Sequence, residues 1–188
     1  MEPQIEIEMT EEDVMREGVM SGCAHAALET FREGLKEGKI DNKHCYGFTL
    51  GIDKDDKTPS MTLVGEGADV YEFLENMPNY YMIAEQVAEC FMLGLFSQGW
   101  GAPISEGEDE DNFTPPSENE NRRRVQLVYL ISQTGHTVSA IKIDGDDDVM
   151  INFNNAGGAM AEGLARAFAR CLATNFEFNS NTKINEGE

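Results

Sequence analysis

The chain has 188 residues, enough for one domain with a real core, and 40% of them are hydrophobic, as in ordinary globular proteins. Fourteen basic residues stand against 35 acidic ones, for a net charge of −21 and an isoelectric point of about 4.3. That balance argues against direct binding to nucleic acid or to anionic membranes. It leaves basic surfaces, cations or neutral patches as partners, and it also serves solubility with no partner at all.

The acidic N-terminal segment, residues 1–9, lacks the continuous apolar core of a signal peptide, and no run reaches the roughly 18 apolar residues of a membrane span. Cys23, Cys90 and Cys171 lie among helix-like or apolar residues, where a free thiol packs as a small hydrophobe. With Cys45 they make four cysteines, expected as free thiols in a reducing, cytoplasmic setting.

Ile5 and Ile7 alternate with acids, which suits an edge strand or a loose segment. Thr10, followed by Glu11, Glu12 and Asp13, is a helix start, because a hydroxyl caps free N–H groups and acids suit the positive end of the dipole. The helix is predicted to run to about Glu37, with Gly38 as its stop. Val19, Cys23, Ala26, Ala27, Phe31 and Leu35 form its apolar stripe, with small residues suited to close packing on a sheet.

Tyr46–Asp53 and Ser60–Gly65 read as a hairpin around the polar loop Asp53–Pro59. Val70, Phe73, Leu74 and Met77 fit a helix face that Pro78 would end, although this stretch is ambiguous. Tyr80, Ile83, Ala84, Val87 and Ala88 are helical in period. Cys90–Phe96 fits either a helix or a buried strand by periodicity; the strand is preferred, ending near Gly99-Trp100-Gly101.

Residues 103–121 carry Glu106, Glu108, Asp109, Glu110, Asp111, Glu118 and Glu120 with no basic residue, and read as a mobile acidic loop. Arg122, Arg123 and Arg124 follow; their expected role is to neutralise that loop or an acidic face, with a phosphate site as the alternative. Arg122–Asp144 is the central hairpin. Val125, Leu127, Tyr129 and Ile131 line one side, and Val128 and Leu130 make the other side apolar too, as in a strand interior to its sheet. Gly135 serves the turn. Asp144, Asp146, Asp147 and Asp148 end the second strand, and Val149–Phe153 is one more short strand. Gly157-Gly158 leads into a helix from about Met160 to Thr174, lined by Leu164, Ala167, Phe168, Cys171 and Leu172; residues 176–188 are expected to fray as a polar tail.

The resulting order, α–ββ–α–βββ–α, predicts one α+β domain over residues 10–175: an antiparallel β-sheet flanked by helices. By analogy of order it is similar to roadblock and profilin-like domains, and distantly to the acidic chaperones of type III secretion. Such analogy favours binding modules, and a possible homodimer, but assigns no function.

GWGAP, a Pro-Pro-Ser loop, RRRVQLV, SAIKI and a Gly-rich helix start, carried by Trp100, Pro103, Pro116, Ser117, Arg122–Arg124 and Gly157-Gly158, resemble a group of actinobacterial and phage proteins with no established activity. The resemblance covers about Met61–Leu172. It implies a recurring architecture and no chemistry.

No catalytic, cofactor or metal set emerges from the residues. Asp144, Asp146 and Asp148 match the first ligand spacings of an EF-hand, but Val149 replaces its Gly, Asn155 replaces its Glu, and the helical frame is missing. Weak cation binding by these carboxylates is the alternative. Cys23 and His25, two apart on a helix, point in different directions, which disfavours a zinc site with His44 and Cys45. His25, His44 and His136 show no nucleophile pairing, Glu85 and Glu89 suit a solvated helix face, and Gly157-Gly158 lacks an adjacent cation for phosphate. Trp100 reads as an interface anchor or as a lid over the core edge.

These features favour a non-enzymatic interaction or adaptor domain with a protein partner. An acidic decoy for a basic nucleic-acid-binding protein, carried by Glu106–Glu120 and Asp144–Asp148, is the first alternative. An enzyme of unrecognised type is the second.

Overall fold

A computed structural model describes residues 10–53, 55, 58–101, 118–154 and 158–185, with side chains to residue 177. In chain order the elements are α1 (Glu11–Lys36), β1 (Cys45–Ile52), β2 (Pro59–Gly67), α2 (Val70–Asn76), a 3-10 turn (Met77–Asn79), α3 (Tyr81–Glu89), β3 (Met92–Gly101), β4 (Arg123–Ser132), β5 (Thr137–Ile143), β6 (Val149–Phe153) and α4 (Ala159–Asn185). The expected order holds, and Cys90–Phe96 resolves as the preferred strand, β3 starting at Met92 after Cys90 caps α3. The acidic segment 1–9, the loop residues 102–117 with Glu106, Glu108, Asp109, Glu110 and Asp111, and Gly157 lie outside the described residues.

Helix α1 starts on a reciprocal capping box. The Asp13 amide donates to the Thr10 hydroxyl (3.2 Å), and the Thr10 amide donates to the Asp13 carboxylate (3.2 Å). The Thr10 hydroxyl, and then its backbone N–H, hold the Asp13 carboxyl below its usual range. The helix closes at Glu37, after which Gly38 takes a φ of 69°.

The six strands form one antiparallel sheet in the order β2-β1-β3-β4-β5-β6. Strand β4 is interior, paired on one side with β3 and on the other with β5, as its two apolar faces require. Val128 and Leu130 join Phe48, Phe96, Val138 and Ala140 beneath α1. Tyr129 and Ile131 join Leu93 and Leu95 on the opposite face, beneath α2, α3 and α4. Three layers result: α1, the sheet, and the remaining helices.

Close approaches fix both layers. Phe31 of α1 stacks on Phe96 at 4.5 Å and leans on Phe48 at 5.1 Å. On the other face Phe73 of α2 lies against Gly47, Gly65 and Gly67. A Cβ on Gly47 or Gly67 would come within 2.7 Å of it. The glycines of β1 and β2 let a helix side chain rest on bare backbone.

Two expectations need correction. Helix α4 does not end at Thr174 but continues to Asn185, through much of the stretch expected to fray, and Leu172 turns outward. The buried line of α1 is Met20, Ala24, Ala27, Leu28 and Phe31, one position round from the expected stripe. Ala27 and Phe31 belong to both lines, whereas Val19 and Ala26 are exposed and Cys23 is half-buried.

Candidate functional site

That rotation leaves an apolar flank without a cover. Helix α1 packs over β4, β5 and β6, and among the described residues no helix lies over the β1–β2 corner of the same face. Between the flank and the corner runs a groove of about 370 Å³. Val19, Cys23, Ala26 and Thr30 form its helical wall; Leu50, Ile52 and Met61 form its floor; Phe91 and Met92 close one end. Among the described residues every lining side chain is uncharged. Val19, Ile52 and Phe91 stand 57%, 48% and 53% exposed, although each is large and apolar. Burial raises the Cys23 thiol above its ordinary value.

The predicted site residues gather at another corner. Trp100 on β3 opposes Arg124 on β4. The guanidinium carbons of Arg122 and Arg124 lie 5.0 and 5.4 Å from the centre of its ring, close enough for cation–π contact. Arg123 projects from the other face of β4 and pairs with Asp146 at 2.5 Å. Lys142, nearly buried, donates to the carbonyls of Asp146 (2.5 Å) and Asp147 (2.8 Å), and the Asp144 amide donates to the Arg124 carbonyl (2.9 Å). The Asp146 carboxylate is therefore paired, and the backbone of Asp144, Asp146 and Asp147 is tied to its own strands.

A second recess, of about 430 Å³, lies between the end of β2, α2 and α3, lined by Glu66, Asp69, Glu72, Phe73, Tyr80 and Ile83 among others. Its acids have local work in part, since Asp69 caps α2 by accepting from the Glu72 amide at 2.8 Å. The space follows from the seating of Phe73 on glycines, and its carboxylates face no described cation across it.

The remaining candidates are dispersed. His25 is exposed on the back of α1. His44 bonds Asp41 at 2.7 Å, and His136 receives Arg16 at 3.1 Å and stacks on Phe153. Cys23 packs on the α1 side of the sheet and Cys45 on the other. Glu85 accepts from the Tyr81 hydroxyl at 3.3 Å on an exposed face of α3. Among the described residues no group of three His, Cys, Asp or Glu side chains is placed to hold a metal, and no helix is long and apolar enough to cross a membrane.

Sequence reasoning missed the groove. Its helical wall was named as stripe residues, but periodicity gives the direction of a stripe only to within about one residue position. It says nothing of which strands the helix will cover.

The fold and the groove define an antiparallel α+β domain with an open apolar recess beside its first helix. Comparison with protein-family models, with curated proteins and with solved structures finds no match for this chain.

Proposed function

We propose that this chain is a protein-interaction module that holds a segment of another protein in the groove between α1 and the β1–β2 corner. The observation that carries the reading is the groove's lining. In a chain of net charge −21, its described lining residues are all uncharged, and Val19, Ile52 and Phe91 are about half exposed. An exposed apolar concavity rimmed by polar surface marks an interaction site in a monomer. The Trp100–Arg124 corner is a secondary contact surface in this reading: an aromatic ring flanked by guanidinium groups suits the polar rim of an interface.

The decoy reading rests on net charge. One of its proposed carriers weighs against it, because the Asp146 carboxylate is paired with Arg123 and offers less charge to a basic partner.

A photoreactive side chain placed at Val19 tests the proposal against one at His25 on the back of α1. Val19 is expected to give discrete protein adducts in host lysate that still form on irradiation at about 0.5 M salt, where exposed charge pairs are screened. Identical adducts from both positions would remove the groove as the interface.

A further inference from the structure

Resting on the reading of the groove as an interface, we infer that its occupant is a basic amphipathic helix of about two to three turns. The first argument is shape. A six-stranded sheet is about 24 Å across, whereas a helix with its side chains is about 10 Å wide. The opposite face is covered by α2, α3 and α4, but α1 alone covers β4, β5 and β6 on its own face. Tyr46, Phe48 and Phe96 are buried beneath Phe31, so the open strip beside α1 is the end of β1 and the start of β2 at Leu50, Ile52 and Met61, running along Val19–Thr30 for about three helical turns.

The second argument is the wall. Apart from Val19, the wall residues Cys23, Ala26 and Thr30 have short side chains. Short side chains permit a second helix axis at the near end of the usual spacing, about 8 Å. A strand added to the free edge of β2 would lie in the plane of the sheet and leave this wall unused.

The third argument is charge. Residues at seven-residue spacing share a flank of a helix, and here they read Glu12, Val19, Ala26, Glu33. The apolar centre is therefore bounded by a carboxylate at each end. Glu12 bonds Arg16 at 2.8 Å and Glu33 interacts with Lys39, so the pull on a basic occupant comes chiefly from the net charge of the chain. A second copy of this chain would bring −21 against −21, which disfavours self-association through the groove, whereas Lys or Arg on the flanks of an apolar helix gains at both ends. Apolar grooves with acidic surroundings take such helices by their i, i+3, i+4 and i+7 side chains.

The test uses the full chain and three synthetic peptides of about sixteen residues. One carries a Leu/Ala face flanked by Lys; the second replaces Lys with Glu; the third has the first peptide's composition in scrambled order. Binding is followed by anisotropy and by protection of Cys23 from alkylation. The ordered basic peptide is expected to bind about tenfold or more tightly than the others, and more weakly as salt rises. Val19→Glu and Ala26→Glu, both at exposed positions, are expected to weaken it about tenfold although each adds negative charge; circular dichroism checks that they fold.

Binding that is equal for the scrambled peptide, or that strengthens in Val19→Glu, would reflect net charge and overturn the inference. Equal protection of Cys23 by the Lys and Glu peptides would overturn the basic occupant and leave the groove as an interface. Dimerisation in sedimentation that Val19→Glu abolishes would assign the groove to a second copy instead. If no peptide protects Cys23 and the Val19 photoadducts are also missing, both the inference and the interface reading fall.

Discussion

Phe48 on β1 and Gly94 on β3 face each other across the ladder, and the Phe48 ring fills the space that a Cβ on residue 94 would need. Phe48 is fully buried and also carries Phe31 of α1. Gly94→Ala is therefore expected to destabilise the fold by about 2–3 kcal/mol, since the ring cannot retreat without displacing α1. Urea unfolding measures this, and a cycle with Phe48→Leu should recover about 1 kcal/mol of coupling. Additivity of the two changes would show that the ring relaxes freely.

Among the described residues, the buried side-chain nitrogen of Gln98 on β3 has no hydrogen-bond partner. A buried donor left unpaired costs its desolvation, so an apolar side chain of similar length should do better. Gln98→Met is expected to raise stability by about 1 kcal/mol, read as an increase in the denaturant midpoint at constant slope.

The four thiols should separate cleanly in reactivity. Burial pushes Cys90 up to about 12 and Cys171 to about 11, and raises Cys45 as well. The thiolate is the reacting form, and these three are also enclosed. Cys23, half-buried in the groove wall, is expected to react first with a thiol reagent at about pH 8, and the other three only after unfolding. Rapid titration of more than one thiol in the folded protein would contradict this packing.

Acid should loosen the two ends of the α1 region together. Asp13 is lowered chiefly by the Thr10 hydroxyl, and Asp41, beyond the helix, chiefly by the Lys43 amide and then by His44. A carboxyl depressed in the folded state stabilises above its unfolded value, near 4, and that contribution is lost as pH falls through the folded value. The melting temperature is expected to fall with acid below about pH 4, and less steeply in Asp13→Asn and Asp41→Asn. Thr10→Ala should lower it by about 2 °C near neutrality, through loss of the cap.

The order of elements was readable from sequence because it rests on local signals. Thr10 and Gly38 bracket α1, Gly135 turns β4 into β5, and apolar residues on both faces of Val125–Ile131 mark an interior strand. The extension of α4 to Asn185 escaped this reading, since a polar helix carries no apolar stripe to announce it. Glycine is a weak strand residue, and only contact with Phe73 or Phe48 gives Gly47, Gly65, Gly67 and Gly94 a purpose.

What the sequence determined by itself was an acidic α+β domain with helices on an antiparallel sheet, because charge, period and capping are properties of neighbours in the chain. The tertiary structure alone decided that α1 settles over β4–β6 and rotates Met20, Ala24 and Leu28 inward. That choice turns on how Phe31 fits against Phe48 and Phe96, a matter of shape among residues far apart in sequence. The same fit leaves Val19 and Ala26 facing an open groove, so the candidate site is a by-product of packing that no local pattern encodes.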